Sequence, residues 1–209
     1  MPAYQNHKIR VVGLPPVLAA PASWYAAMLQ GDIVFIDRDT PYNKRDKSTH
    51  RFDIADVRGR LSVTVPVCHP ANGDHRRLTW NDILISDHNQ WWHTAANTLA
   101  TAYGGTPWFG DLWPRFEDLF TSGVAGRPVL DYLMDFDAII RDTLDIPARM
   151  TAAIPPGTGI IRADDCTVAP YRQVRADKLG FIGGLSVLDA IFNLGAADTR
   201  DLLNRAAGV

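Results

Sequence analysis

Between Ile9 and Asp37 two short apolar runs flank an alanine-rich stretch, and this spacing constrains the fold more than any other feature of the 209 residues. Ile9-Arg-Val-Val-Gly-Leu14 reads as a buried strand, which Pro15-Pro16 must stop because proline cannot donate to a strand ladder. Pro21 to Gln30 carries Trp24, Tyr25, Met28 and Leu29 among alanines and reads as a helix, with Ser23 placed to cap it and Gly31 to end it. Asp32-Ile-Val-Phe-Ile-Asp37 is a second strand. Strand, helix and strand at this spacing predict a βαβ unit with parallel strands, because a connection this long is a crossover and not a hairpin.

The alternation after it predicts a hairpin, Arg51 to Ala55 and Leu61 to Val67, with one buried face. Arg38 to His50 and Cys68 to Arg77 are polar loops, and Leu78 to Ser86 is a weaker strand signal. From Asp87 the pattern turns helical. Trp91, Ala95, Leu99 and Ala102 recur at helical spacing behind a cap at Asp87 or Asn89, and further helices are expected over Trp108 to Phe120, Val129 to Leu144, Ser186 to Leu194 and Asp198 to Ala206. Ala148 to Ala169 suits short strands or loop equally. The fold class expected is α/β, an N-terminal βαβ unit in a mixed sheet with a largely helical C-terminal half. We expect one domain over 1–209, sheet-rich to residue 86 and helix-rich from 87.

Composition excludes several classes of function. With 46% hydrophobic residues the chain can bury a sizeable core, and a formal charge of -2 leaves no electrostatic footprint for duplex nucleic acid. No apolar run is long enough for a membrane span, the first ten residues lack a signal-peptide pattern, and two cysteines are too few for a disulfide framework, so a cytoplasmic protein is expected. Cys68 and Cys166 have no sequence-local partner, which makes a buried or incidental thiol the default. His69, His75, His88 and His93 match no closed zinc spacing, so no metal is expected. Gly-rich dinucleotide, phosphate-loop and Gly-x-Ser-x-Gly motifs are absent, and the cofactor stays open.

Three blocks in order resemble the WbqC-like protein family. The first holds Asp32 to Asp37, then Tyr42-Asn43-Lys44, His50-Arg51 and Leu61 to Pro66. The second runs from Trp91 to Phe109, with Ala102-Tyr103 and Pro107-Trp-Phe109. The third holds Tyr171-x-Gln173, Gly180-Phe-Ile, Leu185 to Asp189 and Phe192-Asn193-x-Gly195. The chain departs from the family pattern with His50 where asparagine is usual, an extra residue between Asp37 and Tyr42, Gly183 at a usually polar position, and Ala95 where the family tends to place a histidine. The resemblance implies an association with bacterial O-antigen and related surface-glycan biosynthesis, and no particular reaction.

The chemistry therefore has to come from the residues. Asp37, Tyr42, Lys44 and Arg51 follow the βαβ unit, where open α/β sheets bind ligands beyond the carboxyl ends of their strands. Lys44 and Arg51 suit a phosphate or carboxylate, although a solvated loop of ordinary charges explains them too. His93, beside Trp91, Trp92 and Tyr103, is a candidate general base, as is Asp37; the competing reading buries the tryptophans and leaves His93 at the surface. Tyr171 and Gln173 are candidates for orienting an acceptor. Asp189 and Asn193 lie one helical turn apart and can share a ligand, yet Ser186-Val-Leu-Asp189 has the form of a capping box, which alone would explain Asp189.

The function expected is a transferase of glycan or small-metabolite tailoring that moves an acyl or aminoacyl group to an amine or hydroxyl of an activated sugar. Its partner would be a small molecule such as a nucleotide sugar or acyl donor; the oligomeric state stays open. Two alternatives remain: a nucleotidyltransferase-like enzyme, and a noncatalytic scaffold that docks through Trp108, Trp113 and Phe116.

Overall fold

The computed structural model describes residues 9–70, 78–147, 150–151, 160–161 and 166–209. The loop expected over Cys68 to Arg77 and the stretch from Ala148 to Ala169 lie partly outside these residues, and His75 lies wholly outside them.

Strand β1 (Val11–Leu14), helix α1 (Ala22–Leu29) and strand β2 (Ile33–Ile36) form the expected βαβ unit, with parallel register from Val11 opposite Ile33 to Leu14 opposite Ile36. Pro21, not Ser23, precedes the helix, and no side chain caps it. Gly31 follows it because the crossover passes close to β1: a Cβ there would lie 2.6 Å from Val12 Cγ2.

The hairpin pairs β3 (Arg51–Asp56) with β4 (Gly59–Thr64). Its turn is tighter than the alternation predicts, with Gly59 at φ 119° supplying a backbone that other residues rarely adopt. Phe52, Ile54 and Val63 point into the core, whereas Arg51 and Asp53 lie on the opposite face, as the two-residue period of a strand requires. The strand expected over Leu78 to Ser86 shrinks to β6 (Leu84–Ile85), paired with β5 (Val67–Cys68), because Thr79 and Asp82 cap a 3₁₀ turn at Trp80–Asp82 instead.

Helix α2 (Trp91–Tyr103) buries Trp91, Ala95, Leu99 and Ala102 as their spacing predicts. It is not capped by Asp87 or Asn89. A 3₁₀ turn with left-handed Asn89 and Gln90 precedes it, and Trp91 Nε1 donates to Ser86 O at 2.9 Å to hold that turn back. The single helix expected over Trp108 to Phe120 breaks into α3 (Phe109–Leu112) and two 3₁₀ turns, since Pro114 cannot donate within a helix and Gly110 weakens it. Helix α4 (Val129–Thr143) follows, then the short strands β7 (Met150–Thr151) and β8 (Ile160–Ile161). Helices α5 (Ala176–Leu179), α6 (Val187–Leu194) and α7 (Ala196–Ala207) complete the chain, so helices dominate the C-terminal half.

The main sheet is parallel, in the order β7-β2-β1-β8. One continuous apolar cluster joins α1 and the sheet to the inner face of the hairpin and to α2, α4 and α6. Gly195, between α6 and α7, has φ 85° and ψ 173°, a region almost closed to other residues, and a Cβ there would lie 2.7 Å from the Trp108 ring. Gly195→Ala is therefore expected to cost about 2 kcal/mol in a chemical unfolding titration; an unchanged midpoint would show that the turn can relax.

Candidate functional site

The segment from Val17 to Pro21, between β1 and α1, walls a cleft. The segment leaving β1 is stapled to the loop before β3: Thr49 Oγ1 donates to Pro16 O at 3.1 Å and Leu18 N to Ser48 O at 2.9 Å. Asx turns shape that loop, with Asn43 Oδ1 accepting from Arg45 N and Asp46 Oδ1 accepting from Ser48 N. Together these bonds bring Lys47 and Ser48 to the wall of a cavity of about 280 Å³, which Ala19, Arg51 and Ser186 also line.

Arg51 Nε donates to Thr64 Oγ1 at 2.8 Å, which fixes the plane of the guanidinium, while its terminal nitrogens meet no partner among the described residues. Lys47 likewise takes part in no ion pair among the described residues. Asp53 lines the same cavity, but its charge is taken up by Arg60 Nη1 at 2.9 Å and Ser62 Oγ at 2.6 Å. Among the described residues the charges of Lys47 and Arg51 have no acidic partner, an arrangement suited to a phosphate or carboxylate. Ala19 adds a backbone outlier, φ 42°, at the same wall.

Beyond Pro21 and Gly184, which line both spaces, lies a second chamber of about 230 Å³, bounded by the uncapped first turn of α1 together with Tyr171 and Phe181. Pro21 is bridged to Ser186, and Arg60 donates to Gly183 O and Gly184 O, so the partition is tied to α6 and to the hairpin.

Behind the second chamber sits Asp189, 1% exposed. Its carboxylate accepts from Tyr103 Oη at 2.9 Å, Tyr171 Oη at 2.6 Å and Gln173 Nε2 at 2.7 Å. Burial holds its carboxyl above the usual carboxylate range, and the three donors offset only part of that rise. Burial and the same carboxylate raise both phenols, which therefore keep their protons and donate. Asn193 bridges the backbone, donating to Asp189 O at 2.7 Å and accepting from Val174 N at 2.8 Å. Gln173 also ties Ile182 through both of its amide atoms. The space beside this network is about 10 Å³, room for roughly one water. These polar atoms are partners of one another.

The capping-box explanation of Asp189 does not hold. Ser186 does precede α6, and its Oγ accepts from Leu188 N at 3.3 Å, but the Asp189 carboxylate turns inward to the tyrosines and Gln173.

The remaining expected site residues are dispersed. Asp37 lies at the end of β2, in a separate groove of about 520 Å³ beside Arg38, Asn81 and Met134, and its Oδ1 accepts from Asp39 N. Lys44 is exposed on its loop and lines neither the cleft nor the chamber. Tyr42 packs edge-on against Trp80 and His69, at centroid distances of 4.8 and 5.2 Å. His93 is exposed on α2, while Trp91 and Trp92 are buried. His50 is buried against Trp80 with Nδ1 2.9 Å from Val65 O and lines neither the cleft nor the chamber, and burial lowers its pKa.

Sequence reasoning missed Lys47, although it stands in the charged segment that marked Lys44, and Tyr103 as a partner of Asp189. Among the described residues no three His, Cys, Asp or Glu side chains group for a metal, and no helix is long and apolar enough to cross a membrane. Cys68 is exposed and Cys166 buried. Of the three aromatic rings assigned to a scaffold surface, Phe116 is fully buried and Trp113 stacks between Phe109 and Phe120, leaving only Trp108 well exposed.

The family model described as the WbqC-like protein family matches residues 21–155, a span that holds α1, Lys47, Arg51 and the hairpin. The Tyr171 to Gly195 block lies beyond it. No curated protein and no solved structure matches the chain.

Proposed function

Because the chain belongs to the WbqC-like protein family, we propose that it is a biosynthetic enzyme of bacterial glycan or small-metabolite tailoring, and that Lys47 and Arg51 hold the phosphate or carboxylate of its substrate. One observation carries this reading: two cations without an acidic partner among the described residues share one cleft, walled by the segment that leaves β1. Two like charges held side by side at half-buried positions favour an anion between them, with charge-assisted hydrogen bonds to both. The outlying φ of Ala19 fits the same reading, since strained backbone concentrates at binding sites.

The reaction proposed is transfer of an acyl or aminoacyl group to an amine or hydroxyl of an activated sugar. The part assigned to this chain is to fix the anion and so align the acceptor, the contribution that positioning makes to a bimolecular step. Tyr171 borders the adjoining chamber and would orient the acceptor, with Gln173, Asp189 and Asn193 holding it in place from behind.

A thermal-shift and product screen of nucleotide sugars and acyl donors tests this. Phosphate-bearing ligands at about a hundred times their Kd should raise the unfolding free energy by about 2.7 kcal/mol, and the gain should fall with added salt. A screen that yields neither product nor stabilisation would reject the assignment.

A further inference from the structure

The second chamber has a wall chemistry unlike that of the charged cleft beside it. Tyr171 and Phe181 meet edge to face at 5.2 Å and 77°, and Phe181 keeps 37% of its surface exposed. The Tyr171 hydroxyl is tied to Asp189 at 2.6 Å, so the ring against which Phe181 rests cannot swing away. Gly183 leaves the flank of Phe181 open; a Cβ there would already touch Phe181 Cε1 at 3.4 Å. Among the described residues the other polar side chains of the wall are the Cys166 thiol and the hydroxyls of Ser23 and Thr167, and neither hydroxyl has a hydrogen-bond partner there. Among the described residues no amide or carboxylate side chain lines this chamber.

We propose that the chamber seats an uncharged, polyhydroxylated ring belonging to the same substrate whose anion lies between Lys47 and Arg51, with Phe181 as its platform. The inference rests on the anion-site reading above and names the substrate class: a phosphorylated sugar. An aromatic side chain offers its face or edge to the C–H groups of such a ring, and unpaired serine and threonine hydroxyls pair with its hydroxyls. A flat base would instead call for amide or carboxylate groups to read its edge. Pro21 and Gly184 border both spaces, so the chamber adjoins the cleft across that wall.

Calorimetric titration of the full chain with inorganic phosphate, glucose 1-phosphate and N-acetylglucosamine 1-phosphate tests the idea. At least one sugar phosphate should bind roughly tenfold tighter than phosphate, the return of one aromatic contact and a hydroxyl pairing. Phe181→Ala should erase that advantage while leaving the affinity for phosphate within about twofold, and Phe181→Tyr should keep it. Phosphate binding with no sugar advantage, or an advantage that survives Phe181→Ala, overturns the ring chamber and leaves the anion site standing. Failure of all three probes to bind overturns both.

Discussion

Asp189→Ala is expected to lower the unfolding free energy by about 4 kcal/mol, the largest stability effect anticipated for a single polar residue in this chain. The carboxylate gathers Tyr103 from α2 with Tyr171 and Gln173 from the segment before α5, and α6 carries it. Alanine would leave three buried donors without an acceptor, each costing about 1 to 3 kcal/mol unless water reaches it. In a chain of this size that corresponds to a fall in Tm of roughly 10 °C. Asp189→Asn keeps the shape and exposes the electrostatic part. Burial raises the Asp189 carboxyl above its unfolded value near 3.9, so the folded state holds the proton more tightly than the unfolded chain does. Its stabilising contribution is therefore greatest below the unfolded value and is lost as pH rises through the raised one. The stability gap between wild type and Asp189→Asn should narrow as pH rises above the unfolded value in paired melting curves; a gap that widens would reverse the sign and rule this out.

Arg51→Ala is expected to weaken binding of a phosphate-bearing ligand by about 3 kcal/mol, roughly a hundredfold, while Arg51→Lys should cost nearer 1.5 kcal/mol. Lysine keeps the charge and loses the fork. Among the described residues the side chain is anchored through Nε to Thr64 alone, so the melting temperature should change little in either variant. Paired melting and titration separate binding from folding. A variant that unfolds earlier yet binds as tightly as wild type would make Arg51 a structural residue and remove the anion site.

The βαβ unit was legible because each of its parts has a local cause. Pro15 and Pro16 stop a strand, alanines fill a helix, and Gly31 lets the returning chain pass Val12. The hairpin was legible from its alternation, though not its register, which depends on the turn at Gly59. The aromatic run after Trp108 misled because its apolar spacing is helical, while Pro114 and Gly110 forbid a continuous helix. At the site, composition marked a charged loop but could not say which lysine faces inward. That is decided by Asn43 and Asp46 bonding their own backbone, and by Ser48 and Thr49 holding the loop to the Pro16 to Leu18 segment. Asp189 was harder still. Locally it fits a helix cap, and its true partners include Tyr103, far away in sequence, which only tertiary packing brings near.

A crystal structure of the chain with glucose 1-phosphate would locate the anion directly. Phosphate density should lie between Lys47 and Arg51, with the terminal guanidinium nitrogens about 2.7 to 3.2 Å from its oxygens. Phosphate density in the groove beside Asp37, or at Lys44, with the Arg51 cleft holding only water, would contradict that placement.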